Sequence, residues 1–209
     1  FISLTQFLNR GEGYRLVYLL DYTKPPVKQE FLDFIRSRAK SYDLFILSFH
    51  GGTEYANIAE ERKLRFFEDL VEAGVYIVWS HHPHVLQPWY FLTRSDGGRA
   101  LILSSAGNLI SGQAWRVKPD EWKTPRANTA DSALFRVFVG RLTNGTTSVY
   151  GLKPLLITSF IKEDEDIVVR KLQDLKDQPL KPEWSTYYRH RFQISSRKVM
   201  PLMNRNVPE

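Results

Sequence analysis

Cysteine is absent from the 209 residues. That excludes disulfides, thiolate nucleophiles and sulfur-ligated zinc sites. Any metal would have to rest on His, Asp, Glu or Asn, a harder donor set suited to zinc, manganese or iron. Long hydrophobic runs are missing too. Apolar stretches such as Leu44–Leu47 and Leu155–Ile157 have strand length at most, well short of the ~18 residues that a membrane-spanning helix needs. No signal peptide is legible, a trait that a processed chain would share.

A strong charge of one sign is also lacking outside the tail. The chain holds 29 Lys and Arg against 23 Asp and Glu, a net charge of +6. Lys181, Arg189, Arg191, Arg197, Lys198 and Arg205 face only Glu183 and Glu209 in the last segment, which therefore carries +4 of that total. What is present is globular: 43% hydrophobic and 13% aromatic residues suffice for a core, and the length suits one ordinary domain of ~100–200 residues.

Phe1–Thr5 reads as a strand without preamble, as though the chain began inside a domain. Residues 25–40 have a helical pattern, opened by Pro25 and Pro26, with Phe31, Phe34 and Ile35 on one face. Residues 43–49 form a continuous apolar run, as in a strand covered on both faces, and end at His50-Gly51-Gly52. A second helix is expected over 58–73, with Leu64, Phe67, Leu70 and Val71 in phase and Gly74 as its stop. Residues 75–79 are another buried-type strand and lead into Ser80-His81-His82-Pro83-His84; residues 99–104 give a third, ending at Ser105-Ala106-Gly107-Asn108. Residues 112–125 read as a long loop. Residues 133–142 and 147–161 read as strands joined by a hairpin at Asn144-Gly145. Strand alternating with helix predicts an α/β layer architecture.

Three apolar strands thus end in polar clusters, and in such sheets ligands bind outside the carboxyl ends of the strands. Four of the five histidines lie at two of these ends. His82 and His84 are two apart around Pro83. In an extended segment both imidazoles would point the same way, as a metal-binding pair or as a hydrogen-bonded turn. His81 falls in the opposite alternation, facing away or meeting substrate as an acid. Glu54 could ligate, orient an imidazole or lie in solvent, with orientation or substrate contact favoured. Asn108, after Gly107, is by default a turn residue.

These residues also carry a resemblance. Phe49-His50-Gly51-Gly52-Thr53-Glu54-Tyr55 is similar to the HWGxEY element of the bacterial capsule-synthesis CapA family, the poly-γ-glutamate synthesis proteins. Ala73-Gly74 followed by Ser80–Pro88 is similar to its AG…GHHPHVxQP element, and Ser104–Ile110 to its YSLGNF element. Gly51 replaces the tryptophan, Ser80 a glycine and Leu109 the phenylalanine. The resemblance implies an α/β (α+β) fold, a calcineurin-like, metallophosphoesterase-like β-sandwich flanked by helices. It implies that residues 1–160 are the C-terminal half of that domain and 161–209 a basic, aromatic-containing extension. The family's Gly-Asp and Asn-Asn-His elements, which belong to its N-terminal half, do not occur here.

By the same resemblance His50, His82 and His84 are metal ligands, for two divalent ions of manganese, zinc or iron. His81 and Asn108 then stand ready to stabilise a departing oxygen, and Glu54 completes the catalytic set. The implied function is metal-dependent hydrolysis of a phosphate ester in capsule or poly-γ-glutamate biosynthesis, at the extracytoplasmic face of the cell envelope. Its partners would be an anionic polymer or phosphate-ester substrate and capsule-synthesis membrane proteins, with nucleic acid not expected. Two alternatives stay open: a non-catalytic scaffold that binds polyglutamate through the basic, aromatic tail, and a nucleotide or nucleic-acid phosphodiesterase of the same fold.

Overall fold

A computed structural model describes residues 1–8, 17–162 and 166–201; Arg205 and Glu209 of the basic tail lie outside them. Along the chain come β1 (Ile2–Thr5), α1 (Pro25–Ala39), β2 (Ile46–His50), α2 (Glu61–Glu72), β3 (Ile77–His81), β4 (Leu86–Thr93) and β5 (Arg99–Ala106). After a short 3-10 turn at Pro119–Glu121 follow α3 (Pro125–Asn128), β6 (Asp131–Arg141), β7 (Thr147–Ile161), β8 (Ile167–Lys171), α4 (Leu172–Asp177) and α5 (Pro182–Lys198). The first sheet has the order β1-β2-β3-β5-β4, parallel except for β4; the second is an antiparallel β6-β7-β8 meander.

The apolar runs are buried on both faces, as continuous rather than alternating hydrophobicity requires. On one face α1 and α2 press Phe31, Ile35, Phe67 and Leu70 onto Leu47, Phe49, Val78 and Ile102. On the other, Ile77, Trp89, Leu101 and Leu103 meet Val149 of β7 and half-buried Phe135, Val137 and Leu152. The result is the mixed α/β, two-sheet arrangement with outer helices that the sequence resemblance implied. Between the sheets an apolar cleft of about 480 Å³ opens beside Ile46, Trp79 and Val139.

Some elements differ from their sequence expectation. β3 runs two residues beyond the expected 75–79, so His81 is itself a strand residue. β4 has no alternation to betray it and contains Pro88, which sheet-edge strands tolerate; it is indeed an edge of the first sheet. The loop expected over 112–125 is broken by the Pro119–Glu121 turn. The hairpin at Asn144-Gly145 forms, with Gly145 at φ +86°. The residues after 160 add β8 to the second sheet. Helix α5 then brings Tyr187 and Tyr188 into a third apolar cluster with Leu86, Leu156 and Leu172.

Candidate metal centre

Parallel pairing sets the first row of the site. Thr5 stands opposite His50, and His50 opposite His81, at the carboxyl ends of three neighbouring strands. The Thr5 hydroxyl donates to the Phe7 carbonyl at 2.7 Å, so toward His50 Nδ1, 2.8 Å away, it can only accept. That places the His50 proton on Nδ1 and leaves the Nε2 lone pair bare. His50 Nε2 lies 3.2 Å from His82 Nδ1. Two imidazole nitrogens on one tetrahedral metal, each ~2.0–2.1 Å from it, would stand about 3.3 Å apart, so this approach fits a shared ion as well as it fits a hydrogen bond.

The second row comes from a bend. His82 has φ +101° and His84 φ +61°, so the extended His82-Pro83-His84 segment expected from the sequence is not formed. Proline disfavours the right-handed helical region for the residue before it, but leaves positive φ open. Two non-glycine residues in this sparsely populated region within three positions are strain of the kind that clusters at functional sites. The bend is held where Tyr55, itself at φ +61°, donates its backbone N–H to the Pro83 carbonyl at 2.9 Å. Its effect is convergence: the His82 ring centroid is 4.6 Å from that of His50 and 5.5 Å from that of His84.

His84 is oriented by Asn108. The Asn108 Nδ2 faces three acceptors, the carbonyls of His84 and Thr129 and the side-chain oxygen of Gln113, at 3.0–3.3 Å. This surround fixes the amide orientation, so its Oδ1 accepts from His84 Nδ1 at 2.9 Å. His84 Nε2 is thereby bare, 3.8 Å from Glu54 Oε1. Asn108 owes its place to Gly107, at φ +78°, where a Cβ would come within 2.6 Å of the Asp131 carbonyl.

Glu54, His82 and His84 each offer a ligand atom, and the three atoms lie within 4.8 Å of one another. His50 joins through His82. The carboxylate is about half exposed while His82 is buried, so the cluster has a dry floor and an open rim. Phe7 closes one side, its ring edge-on to His82 at 4.5 Å. Burial first, then the neighbouring histidines and Lys63, pushes the pKa of His82 down to about 4 and lowers that of His50. Neutral imidazoles are what a metal requires.

His81 does not face away from the cluster. Its ring centroid is 5.2 Å from that of His50, its Nε2 is 3.2 Å from the Ser48 hydroxyl, and burial pushes its pKa down to about 4. Sequence reasoning missed several residues that surround the histidines. Thr5 and Phe7 gave no local signal. Lys63 did: it stands four residues before Phe67 on the buried stripe of α2, where a lysine is out of pattern.

Residues 14–113 match the model of the family described as bacterial capsule synthesis protein PGA_cap. Across that stretch, a little under half of its length, the chain is similar to this family. The PGA_cap match takes in His50, Glu54, His81, His82, His84, Asn108 and Gln113, and leaves β6 onward outside it. Two relatives agree. The PGA biosynthesis protein CapA of Bacillus subtilis (strain 168) is 29% identical over 136 residues, 65% of this chain and 31% of the relative. The capsule biosynthesis protein CapA of Bacillus anthracis is 32% identical over 115 residues, 55% of this chain and 23% of the relative. The aligned regions thus span less than a third of either relative's length. Among the described residues, no helix is long and apolar enough to cross a membrane.

Proposed function

We propose that this chain supplies the imidazole side of a divalent-metal centre, in a protein that hydrolyses a phosphate ester or diester. The observation that carries the reading is the pair of fixed tautomers: Thr5 and Asn108 each hold one imidazole by Nδ1, so that His50 and His84 turn bare Nε2 atoms toward His82 and Glu54. Second-sphere partners of this kind accompany nearly all metal-bound histidines. One or two ions of manganese, zinc or iron held there would supply Lewis-acid activation of water and neutralise charge on a phosphoryl group.

The chain's own residues then divide the work. His50, His82 and His84 present nitrogen donors, and Glu54 adds a negative charge at the exposed rim. Phe7 excludes water from the floor. His81 is neutral near pH 7 and engaged with Ser48, and the Asn108 amide is spent on its three carbonyl-type acceptors. Neither is therefore assigned to the departing oxygen in this reading.

We extend the proposal to capsule or poly-γ-glutamate biosynthesis because the family description and the relatives' names carry those words. There the substrate is an anionic polymer or phosphate-ester precursor, the partners are capsule-synthesis membrane proteins, and the work is done at the extracytoplasmic face of the envelope. The polyanion scaffold gains less support. Tyr187, Tyr188 and Arg191 of the tail are buried and offer no stacking platform.

Elemental analysis of the full-length protein beside its His82→Ala/His84→Ala variant tests the reading, together with turnover of a model phosphodiester. Metal bound by the wild type and lost with activity in the variant is the expected result. No metal in either, even after incubation with manganese or zinc, would leave a binding scaffold as the better account.

A further inference from the structure

Lys63 is 1% exposed, yet it makes no ion pair among the described residues. Its Nζ donates to two neutral carbonyls, that of Gly51 at 2.9 Å and that of Ser104 at 3.1 Å. The rings of Phe49 and Phe67 flank it, with centroids 5.7 and 5.5 Å from Nζ. Burying an amine here is costly: desolvation, opposed only by the more distant Glu60, pulls its pKa down to about 7. A methionine of similar volume would fill the space without that penalty. Something other than packing must account for the nitrogen.

The two carbonyls identify it. Gly51 follows His50 at the end of β2, and Ser104 lies on β5, four residues before Asn108. These strands are not neighbours, because β3 runs between them. Lys63 therefore spans β3 and ties the strand end that carries His50 to the strand whose continuation orients His84. The turn beneath is shaped to receive it. Gly52 sits at φ +109°, and a Cβ there would come within 3.0 Å of Nζ. Both donors survive in either protonation state of the amine, so the tie does not depend on its charge.

We propose that Lys63 is a positioning residue that sets the separation of the two oriented imidazoles, His50 and His84. Its consequence for catalysis rests on the metal-centre reading above; its geometric content does not. The test compares wild type with Lys63→Met and Lys63→Gln by long-range proton–nitrogen NMR of the imidazoles, without metal and then with zinc. In the wild type His50 and His84 each show the Nδ1-protonated tautomer. In both variants these signals are expected to move toward tautomer mixtures, with zinc affinity lower by about 10–100-fold. His190, stacked on Trp122 with centroids 4.0 Å apart, is the internal control and stays unchanged.

The Met variant is expected to melt at or above the wild-type temperature, because a desolvated amine has been removed. Unmoved His50 and His84 signals in both variants overturn the proposal. So does a failure of Lys63→Met to fold, which would make Lys63 a structural requirement of the core. If the wild type takes up no zinc, the metal reading fails, while the tautomer comparison still decides the role of Lys63.

Discussion

Thr5 shows how little chemistry orientation takes. Its one hydrogen is committed to the Phe7 carbonyl, and that commitment alone assigns the His50 proton to Nδ1. Replacing Thr5 by Val removes the acceptor while keeping the shape of the side chain. Zinc affinity of the cluster is expected to fall by about 10–100-fold, and stability by about 1 kcal/mol for the bonds lost. Thr5→Ser should recover most of both. Calorimetric titration and thermal melting, run on the same three proteins, separate the two effects. A Val variant that bound zinc like wild type would remove the hydroxyl from the account of the tautomer.

At the scale of elements, α5 decides how the second sheet is closed. Arg191 is 1% exposed and donates to Asp131 of β6 through two nitrogens at 2.5 and 3.0 Å; Ser195 donates to the same carboxylate oxygen. The remaining guanidinium nitrogen is met by the Trp122 carbonyl and the Asn128 side chain. A buried pair so fully satisfied is costly to break from one side. Arg191→Met should destabilise by about 3–5 kcal/mol, because it strands the Asp131 charge, whereas Arg191→Met/Asp131→Leu should regain much of that loss. Urea denaturation of the single and double variants measures the difference, and equal losses in both would mean that the pair is not the anchor.

The two tyrosines of α5 give the same element a pH dependence. Burial, the first cause, raises the pKa of Tyr187 and Tyr188 above the ordinary 10.0, with Asp131 adding to it. Each phenol ionises first in the unfolded chain. Its contribution is therefore whole below pH 10.0 and is lost as pH rises toward the folded pKa. Alkaline titration should lower the melting temperature steeply above that point. Tyr187→Phe/Tyr188→Phe should flatten the curve, and an unchanged slope would assign alkaline unfolding to other groups.

At the scale of the molecule, the site lies where both layers meet. β2 and β3 bring the imidazoles, while Asn108 reaches them from the junction of β5 with β6, where Gly107 bridges Ser132. Metal binding should accordingly stabilise the whole chain. At 100 times its Kd a ligand adds about 2.7 kcal/mol, which for a domain of this size is a rise in Tm of roughly 5–10 °C. Zinc or manganese should produce that rise and a chelator should reverse it. A melting curve indifferent to both would argue that the cluster holds hydrogen bonds and nothing else.

Much of this was legible in the sequence because it is local. The apolar runs at 43–49 and 75–79, the helical phasing of Phe31, Phe34 and Ile35, and the histidines clustered at strand ends each depend on residues close along the chain. They determined the layer architecture and gathered His50, His82 and His84 as one candidate site. What only the tertiary structure decided depends on register between strands distant in sequence. Thr5 meets His50 across 45 residues, Asn108 meets His84 across 24, and Lys63 reaches Ser104 across 41. The bend that turns His82 to positive φ belongs to the same class, since the Tyr55 amide that holds it comes from another loop. Periodicity records which face a residue takes, whereas the proton position on an imidazole is set by whichever acceptor the fold brings to it.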